Sequence, residues 1–248
     1  MTGRLAQICR HPIKGHGRED LASVRLLVDE CLPFDRHWAV AHDAAQLTSG
    51  WNRSVNFARG AKAPQLMAIT SKLDEVARRV VLRHPLRGEL AFQPDDPSDL
   101  GKFLDWVRPL NPQNRAQPVA IISAGIGMTD SAFPSISILN LSSLGALSAK
   151  MGMDLSRDRW RGNLWLEGAA PWAEFDWIGR AVAIGGAVLR IKERITRCSA
   201  TMVDTLTGEV AGDTLAALER NFGHQDFGVY ATVLQGGPVA VGDEWILA

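Results

Sequence analysis

Short apolar runs of strand length, separated by Gly, Pro and Asp, extend through the whole chain. Trp38-Ala39-Val40-Ala41, Leu66-Met67-Ala68-Ile69, Val119-Ala120-Ile121-Ile122 and Val229-Tyr230-Ala231-Thr232-Val233-Leu234 are examples. Their Val and Ile content predicts strands. The stretch from Arg180 to Ile195 predicts a hairpin, with Gly185-Gly186 supplying the positive φ of a tight turn. Three segments predict helices. Ser98 is expected to cap one that runs through Trp106 and stops near Pro109, and Ser142 or Ser143 to cap Leu144 to Met151 with Gly152 as the stop. Asp213 opens the third, in which Leu215, Leu218 and Phe222 share a face. Strands outnumber helices and do not alternate with them. The expected fold is a β-rich α+β barrel with a few covering helices, not a Rossmann sheet.

The strongest internal boundary is Pro109 to Pro118, which holds three prolines among polar residues and reads as a linker or long surface loop. It divides the chain into expected domains 1–112 and 113–248.

Composition narrows the partners. Of 248 residues, 46% are hydrophobic and 22% charged, enough apolar material for a sizeable core. Lys plus Arg and Asp plus Glu are both 27, so no overall charge favours nucleic acid or an anionic membrane. An anionic ligand must be held locally, by a few converging cations. No secretory signal opens the chain, and no apolar run approaches the ~18 residues that span a bilayer. Cys9, Cys31 and Cys198 are odd in number and scattered. This argues against a disulfide scaffold, a structural zinc site or an iron–sulfur cluster, and suits a reducing cytoplasm.

The candidate chemistry centres on Arg197-Cys198-Ser199-Ala200-Thr201-Met202-Val203-Asp204, which follows a predicted strand. A cysteine beside an Arg at a barrel mouth is expected to have its pKa lowered by the positive charge, and a thiolate ligates soft metals or carries sulfur. A lone cysteine is more often buried and inert. The surrounding pattern shifts that balance. Trp160-Arg161-Gly162-Asn163-Leu164-Trp165 lies upstream, and Phe227-Gly228-Val229-Tyr230 and Val241-Gly242-Asp243 lie downstream. From about Ile136 to the end this order resembles the MOSC family, the module found at the C-terminus of molybdenum cofactor sulfurases. In the N-terminal half, His11-Pro12-Ile13-Lys14-Gly15 resembles a Tyr-Pro-Val-Lys-Ser element, and Asp35-Arg36-His37-Trp38 an Asp-Arg-x-Trp element. These are similar to the β-barrel domain that precedes MOSC in the mitochondrial amidoxime reducing component and its bacterial relatives. The likeness is thin between about Ala58 and Val119. Gly15 and Met202 depart from the family pattern.

The resemblance implies a smaller N-terminal β-barrel-like domain ahead of a MOSC-type barrel, and a molybdopterin molybdenum cofactor. It implies Cys198 as the metal ligand and catalytic residue, with Lys14, Arg36, Ser143, Arg161, Asn163 and Arg197 holding the cofactor. Arg forks suit a phosphate, Lys supplies a point charge, and Asn matches a pterin edge. The implied activity is reduction of N-hydroxylated small molecules, with electrons from a separate reductase or ferredoxin. The alternative is a sulfur or cofactor carrier that uses the same cysteine and serves a cofactor-pathway enzyme. Pyridoxal phosphate, which the fused sulfurases use, is not expected on this chain. Elsewhere, His37 and His42 are expected on opposite faces of a strand, and Gly125-Ile126-Gly127 reads as a turn rather than a dinucleotide fingerprint.

Overall fold

The computed structural model describes residues 1–248. The chain begins with β1 (Thr2–Arg10) and β2 (Ile13–Lys14). Next, β3 (Glu19–Leu21) folds back on β1, pairing Ile8 with Leu21, and β4 (Ser23–Leu26) follows. Strand β5 (Trp38–His42) runs parallel to β2, with Ile13 opposite Trp38 and Lys14 opposite Ala39. Strands β6 (Thr70–Asp74), β7 (Arg79–His84) and β8 (Gly88–Phe92) form an antiparallel meander. After α1 (Leu100–Val107), β9 (Pro118–Ser123) pairs with β5 and completes a second three-stranded sheet. These two small sheets and α1 enclose one apolar core, which includes Ile13, Trp38, Val40, Leu82, Phe92 and Phe103.

The remainder builds a barrel. Strand β10 (Ile136–Asn140), helix α2 (Leu141–Met151) and β11 (Leu164–Glu167) form a unit in which β10 and β11 are parallel. The hairpin of β12 (Ala181–Ile184) and β13 (Ala187–Thr196) turns at Gly185, whose φ is +53°. Helix α3 (Thr214–Phe222) precedes β14 (Asp226–Gln235), β15 (Gly237–Ala240) and β16 (Glu244–Leu247). Seven strands close in the order β11, β10, β14, β13, β12, β16, β1, with β1 returning to β11. Closure leaves no unpaired edge in the ring. Alternation decides which side chains fill it. On β10, Ile136 and Ile138 point into the barrel core, while Leu139 joins Leu144, Leu147, Trp165 and Phe227 in a second cluster beneath α2 and α3.

Several expectations hold as written. Three α-helices accompany the sheets, the hairpin turns at the Gly pair, Gly152 ends α2 at φ +64°, and the Asp213 carboxylate caps α3 by accepting from the Ala216 N–H. Others are corrected. Leu66 to Ala68 lie in a 3₁₀ segment begun by Pro64, not in a strand; Pro cannot donate to a ladder, and the tight turn still buries Leu66 and Met67. Asp96, not Ser98, makes the side-chain cap ahead of α1. Asn140 caps α2, so Ser142 and Ser143 fall inside its first turn.

The chain also crosses the expected 112/113 division twice. Strand β1 is a barrel stave, and β9 belongs to the N-terminal sheet. The Pro109–Pro118 segment is a surface loop within the N-terminal unit, since α1 before it and β9 after it serve the same core.

Candidate functional site

A cavity of about 260 Å³ opens where the two cores meet, near the small end of ligand-sized sites. Its walls come from widely separated parts of the chain. Lys14 ends β2 and Gly15 follows it, Arg36 precedes β5, Arg59 to Ala61 lie between β5 and β6, and Tyr230 is on β14. Asp130 precedes β10, Arg159 to Arg161 precede β11, and Arg197 and Cys198 follow β13.

Backbone pairing sets the N-terminal wall. The Arg36 N–H donates to the His11 carbonyl at 2.7 Å and the Trp38 N–H to that of Pro12 at 3.1 Å, so the two N-terminal motifs lie side by side. Gly15 adopts φ +76°, and a Cβ there would come within 2.6 Å of the Ala58 carbonyl. The glycine that replaces the expected serine is thus required by close backbone approach. Arg36 and Arg161 also have positive φ, +53° and +49°. This conformation is costly for side chains with a Cβ and is held by surrounding bonds.

Electrostatics concentrates what the composition balances. Lys14, Arg36, Arg59, Arg159, Arg161 and Arg197 all line the cavity, against a single lining carboxylate, Asp130. Lys14 is buried and donates through Nζ to Asp130 at 2.6 Å and to the Met128 carbonyl at 2.7 Å. Burial lowers the Lys14 pKa, opposed by Asp130. Burial also opposes ionisation of Asp130, but Lys14 and Arg36 outweigh it and hold the carboxyl below its ordinary range. Arg36 pairs with fully buried Asp35, which also accepts from the His11 backbone N–H at 2.8 Å. Arg161 is pushed down to about 9, first by burial and then by Arg36. One of its terminal nitrogens is buried without a partner, as are Nε of Arg159 and the indole nitrogen of Trp160. A buried unsatisfied donor is costly, and three on consecutive cavity residues fit an acceptor-rich ligand.

Cys198 is exposed at this cavity, immediately after β13. Its carbonyl accepts from both the backbone N–H and the hydroxyl of Thr201, each at 3.1 Å. Thr201 is fixed in turn by Thr214 at 2.7 Å. The other thiols differ. Cys9 is buried and donates to Asp20, and burial followed by Asp20 raises its pKa strongly. Burial raises that of Cys31.

The structure brings Lys14, Arg36, Arg161, Arg197 and Cys198 to one cavity. It does not bring Ser143 or Asn163. Ser143 is fully buried in the first turn of α2 and donates to Glu174 at 2.9 Å. The Asn163 carbonyl oxygen accepts from the N–H and hydroxyl of Ser137, and its amide donates to the Cys9 carbonyl at 3.2 Å. Both side chains are tied internally, and neither lines the cavity. Arg197 lines the cavity with its donors already spent, Nε on the Phe227 carbonyl at 2.8 Å and Nη1 on that of Trp160 at 2.9 Å. It braces the wall. Sequence reasoning missed Arg59, Asp130, Arg159, Trp160 and Tyr230, all of which line the cavity. The Tyr230 pKa is raised to about 12, first by burial and then by Asp130, so its hydroxyl stays protonated at neutral pH.

Fold and site together define a closed β-barrel whose mouth presents an exposed thiol beside a cation-rich cavity. Residues 130–245 match the MOSC domain, so this part of the chain is similar to that family. It is 38% identical over 82 residues to a molybdenum cofactor sulfurase of Anopheles gambiae, covering 33% of this chain and 10% of that protein. It is 31% identical over 98 residues to one of Drosophila willistoni, covering 39% and 12%. The matched part therefore spans only about a tenth of these relatives. Among solved structures, the YUAD protein from Bacillus subtilis is 13% identical, with a TM-score of 0.49 over 100% of this chain and 96% of that one. No helix is long and apolar enough to cross a membrane.

Proposed function

We propose that the cavity binds a molybdopterin-type molybdenum cofactor and that Cys198 is its protein-derived metal ligand. The observation that carries this reading is the convergence, from distant parts of the chain, of Lys14, Arg36, Arg161 and an exposed cysteine on one cavity. The donor set fits the group. The unpartnered guanidinium nitrogen of Arg161 and the Lys14 ammonium suit an anionic phosphate, unpartnered Trp160 Nε1 suits an acceptor on the pterin, and a thiolate suits a soft metal. Lys14 would exchange Asp130 for the ligand's phosphate. Asp35 holds the Arg36 side chain toward the barrel, and Thr201 fixes the carbonyl of Cys198.

The activity implied by the resemblance to the amidoxime reducing component is reduction of an N-hydroxylated small molecule. When bound, such a cofactor supplies two-electron oxygen-atom chemistry. Two electrons and two protons convert an N–OH to an N–H and water, and the electrons come from a separate reductase or ferredoxin. Tyr230 lines the same cavity, and its protonated hydroxyl is available as a hydrogen-bond donor to the substrate. A carrier of sulfur or of the intact cofactor would use the same exposed thiol.

The test is metal and pterin analysis of protein made in a cofactor-competent host. Molybdenum and pterin near one per chain are expected, and their absence would overturn the reading. Turnover of an N-hydroxylated compound with an artificial low-potential donor then separates reductase from carrier.

A further inference from the structure

We propose that Arg59 seats an anionic group of the substrate beside Cys198, so that the substrate class is a compound bearing a carboxylate or comparable oxyanion. This rests on the reading of the cavity as a cofactor and substrate site.

Arg59 differs from the other basic side chains there. Lys14 is committed to Asp130, Arg36 to Asp35 and the Arg161 carbonyl, and Arg197 to two backbone carbonyls. Arg159 donates to the carbonyls of Met202 and Ala211 and lies 3.6 Å from Asp204. Arg59 pairs with no carboxylate, and its one protein partner is the Ser54 hydroxyl at 3.1 Å, which also lines the cavity. A half-buried guanidinium has five donors, and one neutral hydroxyl leaves most of them without a protein partner and open to a ligand or water.

Its backbone is nonetheless fixed. The Ala58 N–H donates to the Val40 carbonyl at 2.9 Å, and the Arg59 carbonyl accepts from Lys62 at 2.9 Å and Ala63 at 3.0 Å. The same turn touches the cysteine loop. The Ser199 hydroxyl donates to the Ala61 carbonyl at 3.3 Å, and a Cβ at Gly60 would lie 3.6 Å from that of Ala200. A rigid turn therefore carries an underused cation against the two residues that follow Cys198. Arg161 stands with the C-terminal motif that precedes β11, whereas Arg59 comes from the N-terminal unit. The two free guanidinium groups thus belong to different walls, which suits two anionic groups, the cofactor's phosphate and the substrate's oxyanion.

The experiment needs no bound cofactor. Alkylation of Cys198 by anionic iodoacetate and by neutral iodoacetamide is followed by peptide mass spectrometry at fixed pH and ionic strength. A cation that comes within a few ångströms of a thiolate would accelerate its reaction with the anion selectively, by about threefold to tenfold in water-like surroundings. Arg59→Gln should lower the iodoacetate-to-iodoacetamide rate ratio by that factor. Arg59→Lys should restore most of it, and Arg83→Gln, on the surface meander, should leave it unchanged.

On protein that carries molybdenum, Arg59→Gln should keep metal and pterin content. It should raise KM for a carboxylate-bearing N-hydroxylated compound and not for its neutral amide. An unchanged alkylation ratio in Arg59→Gln overturns the proposal. So does loss of molybdenum or pterin in that variant, which would give Arg59 to the cofactor. Failure of the wild-type chain to load molybdenum would count against the cofactor reading alone, because the alkylation ratio still decides the role of Arg59.

Discussion

Arg36 donates a hydrogen bond through Nη2 to the backbone carbonyl of Arg161 at 2.9 Å, across 125 positions of sequence. The bond joins the N-terminal Asp-Arg motif to the Arg-Gly-Asn motif of the barrel. Both residues hold left-handed backbone conformations, and this contact helps to fix the second of them. The Arg36 side chain is itself held by Asp35, which has no exposed surface on its side chain. Removing the cation leaves a buried carboxylate without its main partner. Arg36→Met is expected to cost about 3–5 kcal/mol, the range for breaking one side of a buried pair. Denaturant unfolding of the purified variant measures it, and a loss below about 1 kcal/mol would show that Asp35 does not depend on Arg36.

Cys198 is the one exposed cysteine, while Cys9 is buried against Asp20. Cys198→Ala should fold like the parent and lose molybdenum. Cys31→Ala should keep its metal. Cofactor content per folded chain is the measurement, and full loading of Cys198→Ala would remove the assignment.

Asn163 ties β1 to the barrel by accepting from Ser137 twice and donating to the Cys9 carbonyl. Asn163→Ala strands these buried partners at about 1–3 kcal/mol for each group left unsatisfied. The cofactor-free variant should therefore melt earlier than the parent. Unchanged stability combined with weaker cofactor retention would instead make Asn163 a ligand contact.

His16 is fully buried, donates through Nδ1 to the Lys14 carbonyl at 2.9 Å and leaves Nε2 unpartnered. Burial lowers its pKa to about 4 from an ordinary 6.5. A depressed folded pKa means that the unfolded chain binds the proton first. The contribution is present above about 6.5 and lost as pH falls toward 4, by an amount on the order of 3 kcal/mol. His16→Asn keeps a donor for Lys14 and cannot titrate. Its thermal stability should fall less steeply between pH 6.5 and 4 than that of the parent, and parallel curves would refute the assignment.

The parts of this structure legible in the sequence are those governed by neighbours in the chain. The Gly185-Gly186 turn and the Asp213 cap are local chemistry, and the order of the motifs around Lys14, Arg36, Arg161 and Cys198 located most of the cavity. Cavity membership of Arg59 and Asp130 depends on tertiary packing, and no motif marks them, whereas Tyr230 stands in the Phe227-Gly228-Val229-Tyr230 motif, whose role the sequence leaves open. Ser143 and Asn163 lie outside the cavity lining for a related reason. A polar side chain beside a functional one can spend its hydrogen bonds inward, and the sequence does not say which way it turns. The pairing of β1 with β16, which closes the barrel with residues more than 200 positions apart, has no local signature either.

The last expectation concerns electrons. The three cysteines are held apart in distinct environments, one buried, one half-buried and one exposed, so they do not supply the four thiolates of an iron–sulfur cluster. The sheets contain one short parallel pair joined through α2 and one two-residue parallel pairing, not the doubly wound frame that binds a dinucleotide. A chain of this architecture that reduces N-hydroxylated compounds must therefore receive electrons from outside. The purified, molybdenum-loaded protein should not turn over such a substrate with NADH or NADPH alone. It should do so with an artificial low-potential donor, or once a reductase is added. Because whole-chain charge is balanced, docking of a reductase would rely on a local patch. Steady-state kinetics with each donor decides the matter. Robust NADH-driven turnover by the pure chain would reveal a nicotinamide or flavin site in this fold, whereas full molybdenum loading without turnover by any donor would make the protein a carrier.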